Sequence, residues 1–116
     1  MLIRSQNKEF LINFNYSFEL SVMECSRDEF LVTCCGLDET LTMGRYSIKE
    51  KAIKVLDMIQ KAYAKYQTIH TSAMGLATMS LFTESTNEVN ELYMKAQDIL
   101  EKAVVFQMPE DSEVVV

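Results

Sequence analysis

One proline, three glycines and a single histidine are scarce ingredients in a chain of 116 residues. So little Pro and Gly beside an apolar fraction of 48% argues against a disordered chain. Positive charge is also short, with 11 basic residues against 17 acidic ones and a formal net charge of -6. That balance disfavours general nucleic-acid binding, because such affinity comes largely from neutralising phosphates. It still allows a small anionic ligand, which needs only a local basic pocket. No glycine-rich phosphate loop is present, and Gly44-Arg45 alone carries none of its geometry. The opening MLIRSQNKEF turns polar within a few residues, and no apolar run has signal-peptide or membrane-spanning form. The expectation is a cytoplasmic chain with no membrane partner.

Metal and nucleophile chemistry are equally thin. Cys25, Cys34, Cys35 and His70 are the soft donors and the only imidazole, and they form no CxxC or HxH spacing. No metal and no cofactor is expected, and the cysteines read as reduced, buried core thiols. The adjacent pair should point to opposite faces if it lies in a strand. A catalytic His70 with a cysteine would need a proximity that no local motif supports. Glu84, Glu88 and Glu91 share a helical face but read as a solvated surface rather than an acid–base pair. The chain therefore reads as non-enzymatic, with a small enzyme using His70 as the weakest alternative.

What is present is a clear α+β pattern. The stretch Ser47 to Gln67 repeats Ala52, Val55, Leu56, Ile59, Ala62, Tyr63 and Tyr66 at intervals of three and four, predicting an amphipathic helix. Ser47 with Glu50 fits a capping box at its start. Residues 1–46 read mostly as strands in an antiparallel meander. Met1 to Ser5 is a first strand. Phe10 to Val22 alternates with period two, with a break expected near Asn15 to Ser17. Phe30 to Cys35 is a compact central strand and Thr40 to Met43 another, after which Gly44 is expected to relax the backbone.

Beyond Gln67 the reading is a loop over Thr68 to Ser72, a second helix or an extended apolar segment over 73–82, and a strong helix over 86–103. Ser85 and Glu88 fit a second capping box, and Val89, Leu92, Tyr93, Ala96, Leu100 and Ala103 form its stripe, broadened by Ile99. Residues 104–108 alternate as a short closing strand, and 109–116 read as a frayed acidic tail, with its three terminal valines covering an edge or binding a partner as the alternative. The whole is expected to be one domain. Two amphipathic helices, an apolar middle segment and a sheet offer more apolar faces than a tiny monomer covers, so a homo-oligomer is expected.

The MLIRSQNKEFLINF opening, GRYSIKEKAIKVLDMIQKAY and the closing VFQMPEDSEV resemble a group of small proteins from Gram-positive bacteria, their phages and mobile elements. The resemblance leaves roughly Thr68 to Asp98 unmatched. It implies a strand-rich N-terminal half, an EKA-type helix and a closing strand, in a mobile-element context. It carries no catalytic residue.

Arg45 and Tyr46, just before the helix, are the best candidate ligand-binding residues, with Lys49 and His70 as further candidates. Arg45 suits a phosphate or carboxylate, and helix-end amides favour anions. The first helix carries five lysines against two carboxylates, whereas residues 68–116 hold two lysines and eight carboxylates. Attraction between these halves, within or between subunits, is the plainer reading of that split. The leading functional expectation is a small binding or interaction protein with a protein partner or a small anionic ligand. The alternative is a counter-defence protein that sequesters a nucleotide-like signal or blocks a basic host protein.

Overall fold

The structure is a computed structural model that describes residues 1–16, 19–36, 38–82 and 87–116. The chain is α+β. Its strands are β1 (Leu2–Arg4), β2 (Leu11–Asn13), β3 (Glu19–Ser26), β4 (Glu29–Cys35) and β5 (Thr40–Tyr46). The helices α1 (Lys49–Phe82) and α2 (Asn87–Ala103) follow, and β6 (Val105–Gln107) closes the fold. Strands β3-β4-β5 form an antiparallel meander. A second sheet, in the order β2-β1-β6, has β1 antiparallel to β2 and parallel to β6. The expected break in the alternating stretch is a 3-10 turn at Phe14–Tyr16, while Ser17 lies outside the described residues.

Alternation along the strands sorts side chains between a core face and an open face. In the meander, Val22, Val32 and Gly44 stand in one row, Leu20, Cys34 and Leu41 in a second, and Phe30 pairs with Tyr46. These rows meet α1, with Val32, Cys34 and Tyr46 buried. The opposite face, open at its margins but with Leu31 and Thr33 buried along its central strand, carries the row Met23, Leu31 and Arg45 and the row Ser21, Thr33 and Thr42, where Ser21 and Thr33 hydroxyls lie 3.1 Å apart. In the small sheet, Ile12, Ile3 and Phe106 form a single row joined to the same core. Cys34 and Cys35 do take opposite faces. Burial of all three thiols does not hold, since Cys25 and Cys35 are exposed. Cys25 is the extra residue of a bulge in β3, and Cys35 points to the open face.

All seven stripe residues of the predicted helix, Ala52 to Tyr66, belong to the core or pack against it. The helix does not stop at Gln67. The Thr68 to Ser72 loop is instead helix, so the two expected segments merge into one element of 34 residues, about 51 Å long. Thr68, Thr71 and Ser72 turn their hydroxyls back onto carbonyls one turn earlier, which lets polar residues remain within the helix. The half of α1 beyond Tyr66 pairs with α2 to form an arm, and the molecule is 61 Å in its longest dimension. Ser85 lies outside the described residues, as does Glu84.

Strand β5 runs through Tyr46 rather than ending at Met43. Gly44 is required there for space rather than for backbone freedom, since its φ is not in the left-handed region. A Cβ on Gly44 would lie 2.8 Å from the Tyr46 hydroxyl oxygen, 2.9 Å from a ring carbon and 3.2 Å from the Met108 methyl. The Tyr46 ring folds back over its neighbour two residues earlier, and only hydrogen fits beneath it. Gly44→Ala is expected to destabilise the chain by about 1–3 kcal/mol, read as a lower urea midpoint at unchanged slope.

Candidate functional site

The C-terminal tail, expected to fray, is anchored across the start of α1. Met108 and Pro109 are buried after β6, and Asp111–Glu113 form a 3-10 turn with a Glu110–Glu113 capping box. Val114 is buried in the core cluster. The physical reason is that the tail carries the partner that the helix entrance needs. The Asp111 carboxylate accepts from the Ser47 backbone N–H at 2.8 Å and from the Ser47 hydroxyl at 2.9 Å. Lys51 donates to the Asp111 carbonyl at 2.8 Å and to its carboxylate at 3.2 Å. Lys54 reaches the Val115 carbonyl. Ser47 is thus engaged with Asp111 rather than with Glu50. The anion attracted to the positive end of α1 belongs to the chain itself.

The same arrangement fixes a pH response. The Ser47 backbone N–H above all holds the Asp111 carboxyl below its usual value; burial opposes it, and the Ser47 hydroxyl and Lys51 add to the lowering. A depressed folded-state value means the stabilisation is complete above the unfolded value near 3.9 and is lost as pH falls through the folded one. Asp111→Asn is expected to flatten this acid limb and to lower stability at neutral pH by about 1 kcal/mol. Denaturation midpoints of both chains between pH 7 and pH 2 check this.

The four candidate ligand residues do not form one site. Arg45 and Tyr46 are neighbours in β5 and therefore lie on opposite faces of the sheet. Arg45 is exposed on the open face and ion-paired with Glu29. Tyr46 is 2% exposed on the core face, and its hydroxyl donates to the Pro109 carbonyl at 2.9 Å. Burial first, and then Glu110, Asp111 and Glu113, push the Tyr46 hydroxyl's pKa up, keeping it protonated. Lys49 is the exposed first residue of α1. His70 is 21 residues further along that helix, about 31 Å away, and its ring lies tilted against Tyr66 with ring centroids 5.7 Å apart. It borders a crevice of about 130 Å³ formed with Ala73, Met74, Tyr93, Gln97 and Leu100, where no cysteine enters. Among the described residues no three His, Cys, Asp or Glu side chains gather as a metal site. No described helix is long and apolar enough to cross a membrane.

Two shallow grooves lie on the sheet body. One, of about 380 Å³, runs along the β5 edge between Phe10, Thr40, Thr42 and Arg45. Its polar floor is engaged: Gln6 accepts from the Arg45 N–H at 2.9 Å and donates to the carbonyls of Arg45 and Pro109. Gln6 thereby covers part of the exposed edge with its own amide. The other, of about 330 Å³, is an apolar crease at Phe14, Leu20, Leu56, Ile59 and Tyr63.

The arm leaves several large apolar side chains exposed. No described side chain of α2 is fully buried, although Tyr93, Ala96, Leu100 and Ala103 are half-buried. Leu92 is 54% exposed and Ile99 48%, and Met74 and Met94 are exposed as well. The stripe on α2 was legible in the sequence; its incomplete burial required the arm, which merging the two segments of α1 creates. Asp111 and Gln6 were missed, because each acts on residues far away in sequence and neither forms a local motif. Compared with family models, with curated proteins and with solved structures, the chain matches none of them.

Proposed function

We propose that this chain is a non-enzymatic interaction module that works as a homo-oligomer, using the α1–α2 arm as its assembly surface. The observation that carries the reading is the exposure of Leu92 and Ile99 on a helix without one fully buried described side chain. A helix pair outside the sheet body has only itself for a core, and two helices cover only one stripe of each other. Closing a second stripe against another arm removes that surface from water and contributes about 25 cal/mol per Å². The separation of Arg45, Tyr46, Lys49 and His70 supports a binding surface over a convergent catalytic pocket.

Sedimentation equilibrium of the full chain over a micromolar concentration series tests the reading. Association to a dimer or a higher oligomer is expected. A monomer throughout the series overturns it.

A further inference from the structure

We infer that α2 packs antiparallel against α2 of a second copy, with Leu92 and Ile99 at the seam and Glu88 facing Lys102 of that copy. This rests on the assembly reading above and adds the occupant, the direction and the register.

The sequence positions 89, 92, 96, 99 and 103 alternate by three and four, the spacing of a coiled-coil seam. Tyr93 and Leu100 are turned to α1, where they line the crevice with Ala73 and Met74. Leu92 and Ile99 are each one position back from those residues, exposed, and two helical turns apart, about 10.5 Å. The apolar surface of α2 is therefore wider than the strip that α1 covers. Its unused flank has the length and spacing for another helix.

Charge selects which helix. Glu88, Lys95 and Lys102 repeat at intervals of seven beside the open flank, and all three are exposed. In a parallel pair this column would meet the column of Tyr93 and Leu100, which offers no charge and already faces α1. In an antiparallel pair the column meets itself reversed about an axis beside Lys95. Glu88 then faces Lys102 of the second copy, and the same pair forms again across the two-fold axis. Lys102 holds Asp98 at 3.1 Å within its own chain, which positions its ammonium at that end of the seam. Lys95 meets its own copy on the axis, with the exposed carboxylates of Glu91 and Asp98 one turn to either side on its own helix. Two arms joined this way form a four-helix bundle with a sheet body at each end.

Reversing charges tests the register. Glu88→Lys alone and Lys102→Glu alone should each weaken the dimer roughly tenfold, because each replaces two attractive pairs by two repulsive ones. The double variant E88K/K102E should restore the wild-type dissociation constant, measured by sedimentation with helix content checked by circular dichroism. Leu92→Glu with Ile99→Glu should give a folded monomer. These side chains are exposed, so the substitutions leave the core intact. A wild-type dimer indifferent to all four variants overturns the seam while leaving the assembly reading standing. Single reversals that weaken the dimer without rescue in the double variant overturn the antiparallel register. A wild-type monomer overturns the assembly reading and the seam together.

Discussion

A chain ending at Met108 is expected to lose at least about 4 kcal/mol of stability, a large part of the 5–15 kcal/mol typical of a domain. The eight missing residues include Val114, buried in the core cluster, and Pro109, which covers Tyr46 and accepts its hydroxyl. Burial of a valine contributes about 1.5 kcal/mol or more, and each hydrogen bond to a charged group adds about 1.5 kcal/mol before discounting for exposure. The Asp111 carboxylate takes such bonds from the Ser47 N–H, from the Ser47 hydroxyl shared between its two oxygens, and from Lys51 at the α1 entrance. Their removal also strips the helix end of its anion and leaves Met108 open to water. Urea denaturation followed by circular dichroism reads the difference. A truncated chain with the full-length midpoint would show that the tail is an ornament on a self-sufficient body.

Tyr46→Ala is expected to cost about 3–5 kcal/mol, as for other large aromatic side chains removed from a core. Its ring lies between Gly44, Met108 and the sheet, so truncation opens a cavity where meander, tail and helix meet. Tyr46→Phe separates packing from hydrogen bonding. It keeps the ring and removes only the hydroxyl, and the Pro109 carbonyl retains the Gln6 side-chain amide as donor at 3.1 Å. The expected cost is about 1 kcal/mol. If both substitutions cost the same, the hydroxyl rather than the ring holds the tail in place.

These two sites mark where the sequence was readable and where it was not. The stripe from Ala52 to Tyr66 was fully legible, because a helical face is written in spacing and its seven residues need no knowledge of the rest of the chain. The compact, little-interrupted run Phe30 to Cys35 and the alternation of the closing strand were legible because each is likewise a local pattern. Tyr46 as part of a ligand site was not sustained, since placing it beside Arg45 depended on the strand ending at Met43. Three further residues of strand, Gly44 to Tyr46, reverse that relation and send the tyrosine into the core. The frayed tail was misread because its anchors are Ser47 and Lys51, 64 and 60 positions before Asp111. Parallel pairing of β1 with β6 delivers the tail there, and nothing within EDSEVVV encodes it. The Thr68 to Ser72 loop was misread because hydroxyl residues suggest turns, although inside a helix the same hydroxyls bond back to the preceding turn.

Small-angle X-ray scattering over a concentration series tests most directly whether the arm is an assembly surface. One chain has a Cα radius of gyration of 17.7 Å and a longest dimension of 61 Å. With rising concentration the forward scattering should approach twice the 13.3 kDa of one chain, and the longest dimension should grow beyond 61 Å. Forward scattering that stays at one chain's mass, with an unchanged radius of gyration, would contradict assembly through the arm.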